Sequence, residues 1–274
     1  MEVKTKGGIT VAIGDLKAET DAYKIYAITL PEKKAGMLKI GISAADNGIL
    51  DREAFVLQYL KKEAVRLEES YASKHPGNPP LNYQIVFPEL LESYIDKEQD
   101  GRRVNVMSLT AVADKLSDLS PLSWISEREG IRIDPRTSAW ILGKLLKALS
   151  FAHNQGVMVK DLSGDNILIN RNEHLVHIFG WEQAQIYSDP VPAPEAADEI
   201  SQITQQVVIA LGGNPDTGDI PADEQLEDSR YADMIKSLVR GEARNASDAH
   251  SAFYALIRSM WPTSFHHFTA YKLS

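Results

Sequence analysis

Strand-like and helix-like patterns are segregated along this chain, and that ordering limits the folds open to it. Ile9-Thr-Val-Ala-Ile-Gly, Tyr23-Lys-Ile-Tyr-Ala-Ile-Thr-Leu and Gly36-Met-Leu-Lys-Ile-Gly-Ile-Ser are rich in β-branched and aromatic residues and read as strands. Pro31-Glu-Lys-Lys-Ala-Gly, between the last two, reads as a hairpin loop. Glu89–Asp96 and Arg102–Leu109 flank Asp100-Gly101, a two-residue hairpin signal. One helix interrupts this region. Asp51 is placed to cap it, and Phe55, Val56, Tyr59, Leu60, Ala64, Val65 and Leu67 recur at helical spacing. Beyond Leu109 helices dominate. Leu116–Ile125 is a short connector. Asp134-Pro135 then opens a strong helix running through Ala152, with proline at the favoured first position. Two short strands lie around Asn170-Arg-Asn-Glu, and residues 196–212, 229–240 and 247–260 read as helices. The stretch from Asn214 to Glu227 is a polar connector. Strands first and helices after predict an α+β fold with two lobes, a small β-rich one with a single helix and a larger, mainly helical one.

Charge and cysteine content narrow the function classes. Lys and Arg total 29 against 38 Asp and Glu, a net charge of -9. Such a surface repels phosphate backbones and anionic lipids, so neither nucleic acid nor membrane is expected as a partner. The chain has no cysteine, which excludes disulfides, thiolate metal sites and thiol nucleophiles. The longest apolar stretch, Val207–Gly213, falls far short of the roughly 20 residues of a membrane helix. The N-terminus lacks the apolar core of a targeting signal, so a cytoplasmic protein is expected.

The chemistry-bearing stretch is Val159-Lys-Asp-Leu-Ser-Gly-Asp-Asn-Ile-Leu-Ile, which follows a helix ending in Phe151-Ala-His-Asn-Gln-Gly. Alone it reads equally well as an ordinary Asp/Asn-rich turn. It resembles the H-R-D-L-x-x-x-N catalytic loop of protein kinases. Upstream, Lys39 lies in the apolar strand Met37-Leu-Lys-Ile, where an ammonium needs a buried partner, and Glu53 lies at the start of the next helix. The two resemble the lysine–glutamate pair of the same family. Downstream, Ala193-Pro194-Glu195 matches the A-P-E motif, and Arg244 resembles the arginine that pairs with its glutamate. These matches run in order from about residue 10 to 260. The resemblance implies one two-lobed protein kinase-like domain over residues 1–274, with an N-lobe at 1–107, a hinge near Val106–Leu109 and a C-lobe at 108–274. It further implies ATP with Mg or Mn as ligands and Asp161 as the catalytic base. Lys39, Glu53 and Asn166 would hold the nucleotide, with Asn166 also a metal ligand, and the substrate or partner would be a protein.

The departures from the family weigh on function. Where D-F-G supplies a metal-binding carboxylate, this chain has Ile178-Phe179-Gly180. If Phe179-Gly-Trp-Glu is compared instead with the I-D-W-E of small-molecule phosphotransferases, the Asp is again missing, as Gly180. The glycine-rich phosphate loop corresponds to Ala18-Glu-Thr-Asp-Ala-Tyr, which has no glycine and carries Glu19 and Asp21. Two unit charges about 4 Å apart at an effective dielectric near 20 interact by roughly 4 kcal/mol, and the sign here opposes an anion. Val159 replaces the loop histidine and Ser163 replaces a lysine that holds the transferring phosphate in many of these enzymes. Glu182 reads as exposed on a helix or loop, the lesser alternative being that it swings in as a substitute metal ligand; Asp165 reads as a solvated loop residue and His266-His267 as a surface tail. The expectation is a pseudokinase that binds or regulates a partner, with metal binding weakened. The alternative is an active, atypical ATP-dependent Ser/Thr protein kinase using Asp161. A small-molecule phosphotransferase ranks third.

Overall fold

A computed structural model describes residues 2–224, 226, 228–261 and 265–273 of the chain. Two units emerge. The first comprises Met1–Leu119 together with Phe179–Ala184, and the second comprises Ser120–Ile178 and Gln185–Ser274. The connector predicted from Asn214 extends to Glu227, which lies outside the described residues.

In the first unit, strands β1 (Glu2–Lys4), β2 (Thr10–Glu19), β3 (Tyr23–Thr29), β4 (Ala35–Gly41), β5 (Glu89–Asp96) and β6 (Arg102–Ser108) form one antiparallel sheet in the order β1-β2-β3-β4-β6-β5. Side chains alternate between the two faces of a strand, and this separates two chemistries. Val11, Ile28, Leu30, Leu38, Val104 and Val106 bury together on one face. On the other face, register sets Lys39 opposite both Ile25 and Asn105, and Asn105 opposite Ser93. A polar row therefore crosses the sheet. The β5–β6 hairpin turns at Asp100 and Gly101, with φ of 55° and 73°.

Helix α1 (Asn47–Lys74) covers the polar row and buries Leu50, Glu53, Ala54, Val56, Leu57, Leu60 and Ala64. It starts earlier than its sequence predicts. Asp46 Oδ2 accepts from Ser43 N at 3.0 Å and Ser43 Oγ at 2.8 Å, forming a turn that leads straight into the helix. Asn47 fastens that end to the hairpin, accepting from Arg103 N at 2.6 Å and donating to Gly101 O at 2.9 Å. Asp51 is therefore no cap; it sits inside the helix and pairs with Arg103 at 2.9 Å. Phe55, expected on the buried stripe, points outward and is 59% exposed, because Glu53, Val56 and Leu57 take the inward positions.

The second unit contains β7 (Leu119–Pro121), α2 (Trp124–Glu127), β8 (Ile131–Ile133), α3 (Pro135–Asn154), β9 (Val157–Met158), β10 (Ile167–Asn170), β11 (Leu175–Ile178), β12 (Gln185–Ile186), α4 (Ala193–Ala210), α5 (Arg230–Val239), α6 (Ala246–Met260) and β13 (Ala270–Lys272). Asp134 caps α3 by accepting from Thr137 N at 2.7 Å, with Pro135 at the first position as its sequence predicts. Ile141, Leu142, Leu145, Leu146 and Leu149 of α3 are fully buried, each such side chain worth about 1.5–3 kcal/mol relative to exposure. Gly156, with φ of 71°, ends this helix where a Cβ would lie 2.6 Å from Tyr187 O and 2.7 Å from Asp189 O, so no other residue fits.

Three expectations fail here. Ala193-Pro194-Glu195 does not precede a helix; it forms the first turn of α4. Glu195 makes no ion pair with Arg244. Arg244 is exposed, and Glu195 Oε2 is buried without a hydrogen-bond partner. Nor do His266 and His267 form a free tail. His266 Nε2 lies 2.7 Å from the buried carboxylate of Asp134, and β13 pairs antiparallel with β8. Among the described residues, no helix is long and apolar enough to cross a membrane.

Candidate functional site

Lys39 and Glu53 are brought together, and a third residue joins them. Lys39 Nζ lies 2.5 Å from Glu53 Oε1 and 2.8 Å from Glu182 Oε2. Exposure of the three side chains is 1%, 0% and 2%, so water contributes almost nothing to their solvation. Aromatic rings complete the enclosure, with Nζ 4.5 Å from the centre of Phe179 and 5.2 Å from that of Tyr23. The Tyr23 hydroxyl donates to Glu182 Oε1.

Hydrogen bonds extend the cluster along the polar row. Asn105 Nδ2 donates to Glu53 Oε2 at 3.0 Å and to Leu50 O at 2.9 Å. Ser93 Oγ donates to Asn105 Oδ1 at 2.7 Å, and Arg103 Nη1 donates to Ser93 Oγ at 2.8 Å. Electrostatics follow from this geometry. Burial opposes the charge on Lys39, but Glu53 and Glu182 outweigh it and hold the ammonium above its ordinary value. Burial also opposes ionisation of Glu182, yet Lys39 and the Tyr23 hydroxyl bring its carboxyl down to about 2. For Glu53 burial prevails and its carboxyl is pushed up.

The stretch compared with a phosphate loop is a closed turn. Thr20 Oγ1 accepts from Ala22 N at 3.2 Å and Tyr23 N at 3.1 Å, while Thr20 N donates to Tyr23 O at 2.9 Å. Three amides are thus already engaged. Glu19 pairs with Lys24 at 3.1 Å across the two strands.

In the second unit, Asp161 and Asn166 share the loop between β9 and β10. Asp161 Oδ1 accepts from Ser163 N at 3.1 Å, and Asn166 N donates to Ser163 O at 3.0 Å. Lys160 adopts a left-handed φ of 76°, a costly conformation that surrounding contacts must hold. Glu199 of α4 holds it. Fully buried, its carboxylate accepts from Lys160 N at 2.6 Å, Val159 N at 3.1 Å and His153 Nε2 at 2.8 Å. Asp165 is exposed and accepts from the Ser123 hydroxyl. Ile178 ends β11 fully buried and brings no ligand atom. Among the described residues, no three His, Asp or Glu side chains are grouped to hold a metal ion. Asp161 and Asn166 bring one carboxylate and one amide oxygen, so a divalent cation held there would need further oxygens from water or phosphate.

No protein-family model and no curated protein matches the sequence. Solved structures do match. Vaccinia related kinase 3 superposes with a TM-score of 0.63 at 13% identity, over 95% of this chain and 90% of that one. The chain has a protein kinase-like fold. A second neighbour of this fold, the autoinhibited serine kinase domain of the giant muscle protein titin, gives 0.62 at 13% identity over 94% of this chain and 84% of that one.

Within the kinase-like fold, Lys39 and Glu53 meet in the first unit, and Asp161 and Asn166 share one loop in the second. Tyr23 and Glu199 were not singled out from sequence as contributors to these groups, and Glu182 was weighed only as a substitute metal ligand. Glu182, read as exposed, is buried on Lys39. Tyr23 holds Glu182, and Glu199 anchors the loop of Asp161. A signal for Glu199 was present: Ala196, Ile200, Ile203 and Val207 mark the buried stripe of α4, and Glu199 falls on it. A carboxylate on an apolar stripe requires a buried partner.

Proposed function

We propose that the protein is a pseudokinase, a kinase-fold module that does not transfer phosphate and acts by binding or regulating a protein partner. The observation carrying this reading is the closed β2–β3 turn, in which the amides of Thr20, Ala22 and Tyr23 are engaged by the turn itself. Phosphoryl transfer depends on positioning and charge neutralisation, and both rely on donors aimed at the phosphates. The apolar Ile178, at the place of a metal-binding carboxylate, supports the same reading. In this reading the lobes are residues 1–107 and 108–274, ATP and Mg or Mn are bound weakly or not at all, and the absence of cysteine accords with a cytoplasmic location.

The competing reading is an atypical Ser/Thr protein kinase with Asp161 as base and Lys39, Glu53 and Asn166 around the nucleotide. Its support is the anchored loop that holds Asp161. Thermal unfolding with ATP or ADP, with and without Mg or Mn, tests the choice, since a ligand at about 100 times its Kd adds about 2.7 kcal/mol. No stabilisation is expected. Phosphate transfer from labelled ATP that vanishes in Asp161→Asn would overturn the pseudokinase reading.

A further inference from the structure

The buried cluster around Lys39 holds one carboxylate more than neutrality requires. An ammonium is balanced by a single carboxylate, and two carboxyls compete for this one: Glu182, and Glu53 on α1, itself held by Asn105. Glu182 thus places its charge in a site closed to water, on a cation that Glu53 alone could balance. Burying a charge is costly and needs strong local partners. Glu182 has them in Lys39 and the Tyr23 hydroxyl, both donors that would equally serve a phosphate oxygen. Its segment, Phe179–Ala184, lies in neither helix nor strand, whereas Glu53 is fixed on a long helix.

We infer that Glu182 is a built-in anion that takes the place of an external phosphate on Lys39, and that it is the residue deciding that this site refuses phosphate. Removing its charge leaves Lys39 balanced by Glu53 alone, without the second anionic partner that Glu182 supplies. The ligand class so admitted is a small phosphate-bearing anion. This rests on the pseudokinase reading above.

The probe is inorganic pyrophosphate without metal, titrated calorimetrically into the unaltered chain, Glu182→Gln, and Glu182→Gln combined with Lys39→Met. Glutamine keeps the shape of the side chain and an acceptor for Tyr23 while removing the charge. The unaltered chain should bind at most weakly. Glu182→Gln should bind at least about tenfold more tightly, and the double variant should lose that gain. A folded Glu182→Gln chain that ignores pyrophosphate, or a gain that survives Lys39→Met, overturns the inference. So does an unaltered chain that binds pyrophosphate as tightly as the variant. Nucleotide-dependent phosphate transfer by the unaltered chain overturns the pseudokinase reading instead, so the two failures are distinct. Should Glu182→Gln not fold, the carboxyl 13C resonance of Glu182 in the unaltered chain decides. It should be unmoved by millimolar pyrophosphate, and displacement by the anion would count against the inference.

Discussion

Glu199 Oε1 accepts the backbone N–H of Lys160 at 2.6 Å, so a carboxylate on α4 fixes the residue immediately before Asp161. Glu199→Ala would leave the buried Val159 amide, the part-buried Lys160 amide and the His153 ring without their acceptor. An unsatisfied buried donor costs about 1–3 kcal/mol, so a total loss of roughly 3 kcal/mol is expected by urea denaturation. Amide exchange should also speed up at Val159 and Lys160 ahead of the rest of the second unit. A uniform change across that unit would show that Glu199 does not act on this loop in particular.

Lys39 is the one ammonium shared by two buried carboxyl groups, and Lys39→Met would strand both. Breaking a buried pair by removing one partner typically costs about 3–5 kcal/mol, so this variant should be far less stable than Glu182→Gln, which leaves a neutral pair behind. Equal unfolding midpoints for the two would contradict the charge arrangement described.

The carboxyl of Glu182 also sets a pH dependence. Its folded value of about 2 lies below the ordinary 4.5, so its stabilisation is complete above about 4.5 and is lost as pH falls toward 2. That loss is on the order of 3 kcal/mol. Glu53, pushed up, works in the opposite sense, contributing at low pH and losing its contribution as pH rises through its folded value. Relative to Glu182→Gln, the unaltered chain should therefore lose stability more steeply on acidification below about pH 4.5. Parallel stability–pH curves for the two chains would refute this.

His174 lies flat between Trp140 and Phe265, with ring centres 4.7 and 4.3 Å away. Burial, with Lys144, His267 and His266 nearby, holds its imidazole below the ordinary 6.5 against the pull of Glu173. The folded state thus prefers neutral His174, and its contribution is present above 6.5 and declines as pH falls toward the lowered value. An NMR titration should place the His174 midpoint below 6.5. A midpoint at or above that value would overturn the assignment.

Gly156→Ala places a methyl group 2.6 Å from Tyr187 O at a positive φ. Strain of this kind costs about 1–3 kcal/mol in the backbone alone. Urea unfolding should show at least that loss, and an unchanged midpoint would mean that the Tyr187–Asp189 segment yields freely.

Much of this fold is legible because hydrophobic spacing and turn residues act locally. Strands β2 to β6 of the first unit, the Asp100-Gly101 hairpin and the Asp134-Pro135 helix start all follow from neighbouring residues. Lys39 was legible for a different reason: an ammonium in an apolar strand signals a buried partner. Glu182 was not, since its burial depends on Phe179–Ala184 joining a unit whose other residues end at Leu119. The expected Glu195–Arg244 pair misled because a three-residue A-P-E match does not fix what its glutamate meets, and here the two do not pair. Asp51 misled because a stronger turn at Ser43 and Asp46 starts the helix one turn earlier.

That discontinuity gives the first unit a dependence on time. During synthesis, Met1–Leu119 emerges with all six sheet strands and α1, but without the segment that brings Glu182. At about 5–20 residues per second, residues 120–178 take several seconds more to appear. Through that interval Lys39 has Glu53 as its carboxylate, and the rings of Phe179 and Trp181 are absent from the first unit. The nascent N-terminal part therefore waits, incomplete, on the translation of a stretch that belongs to its neighbour.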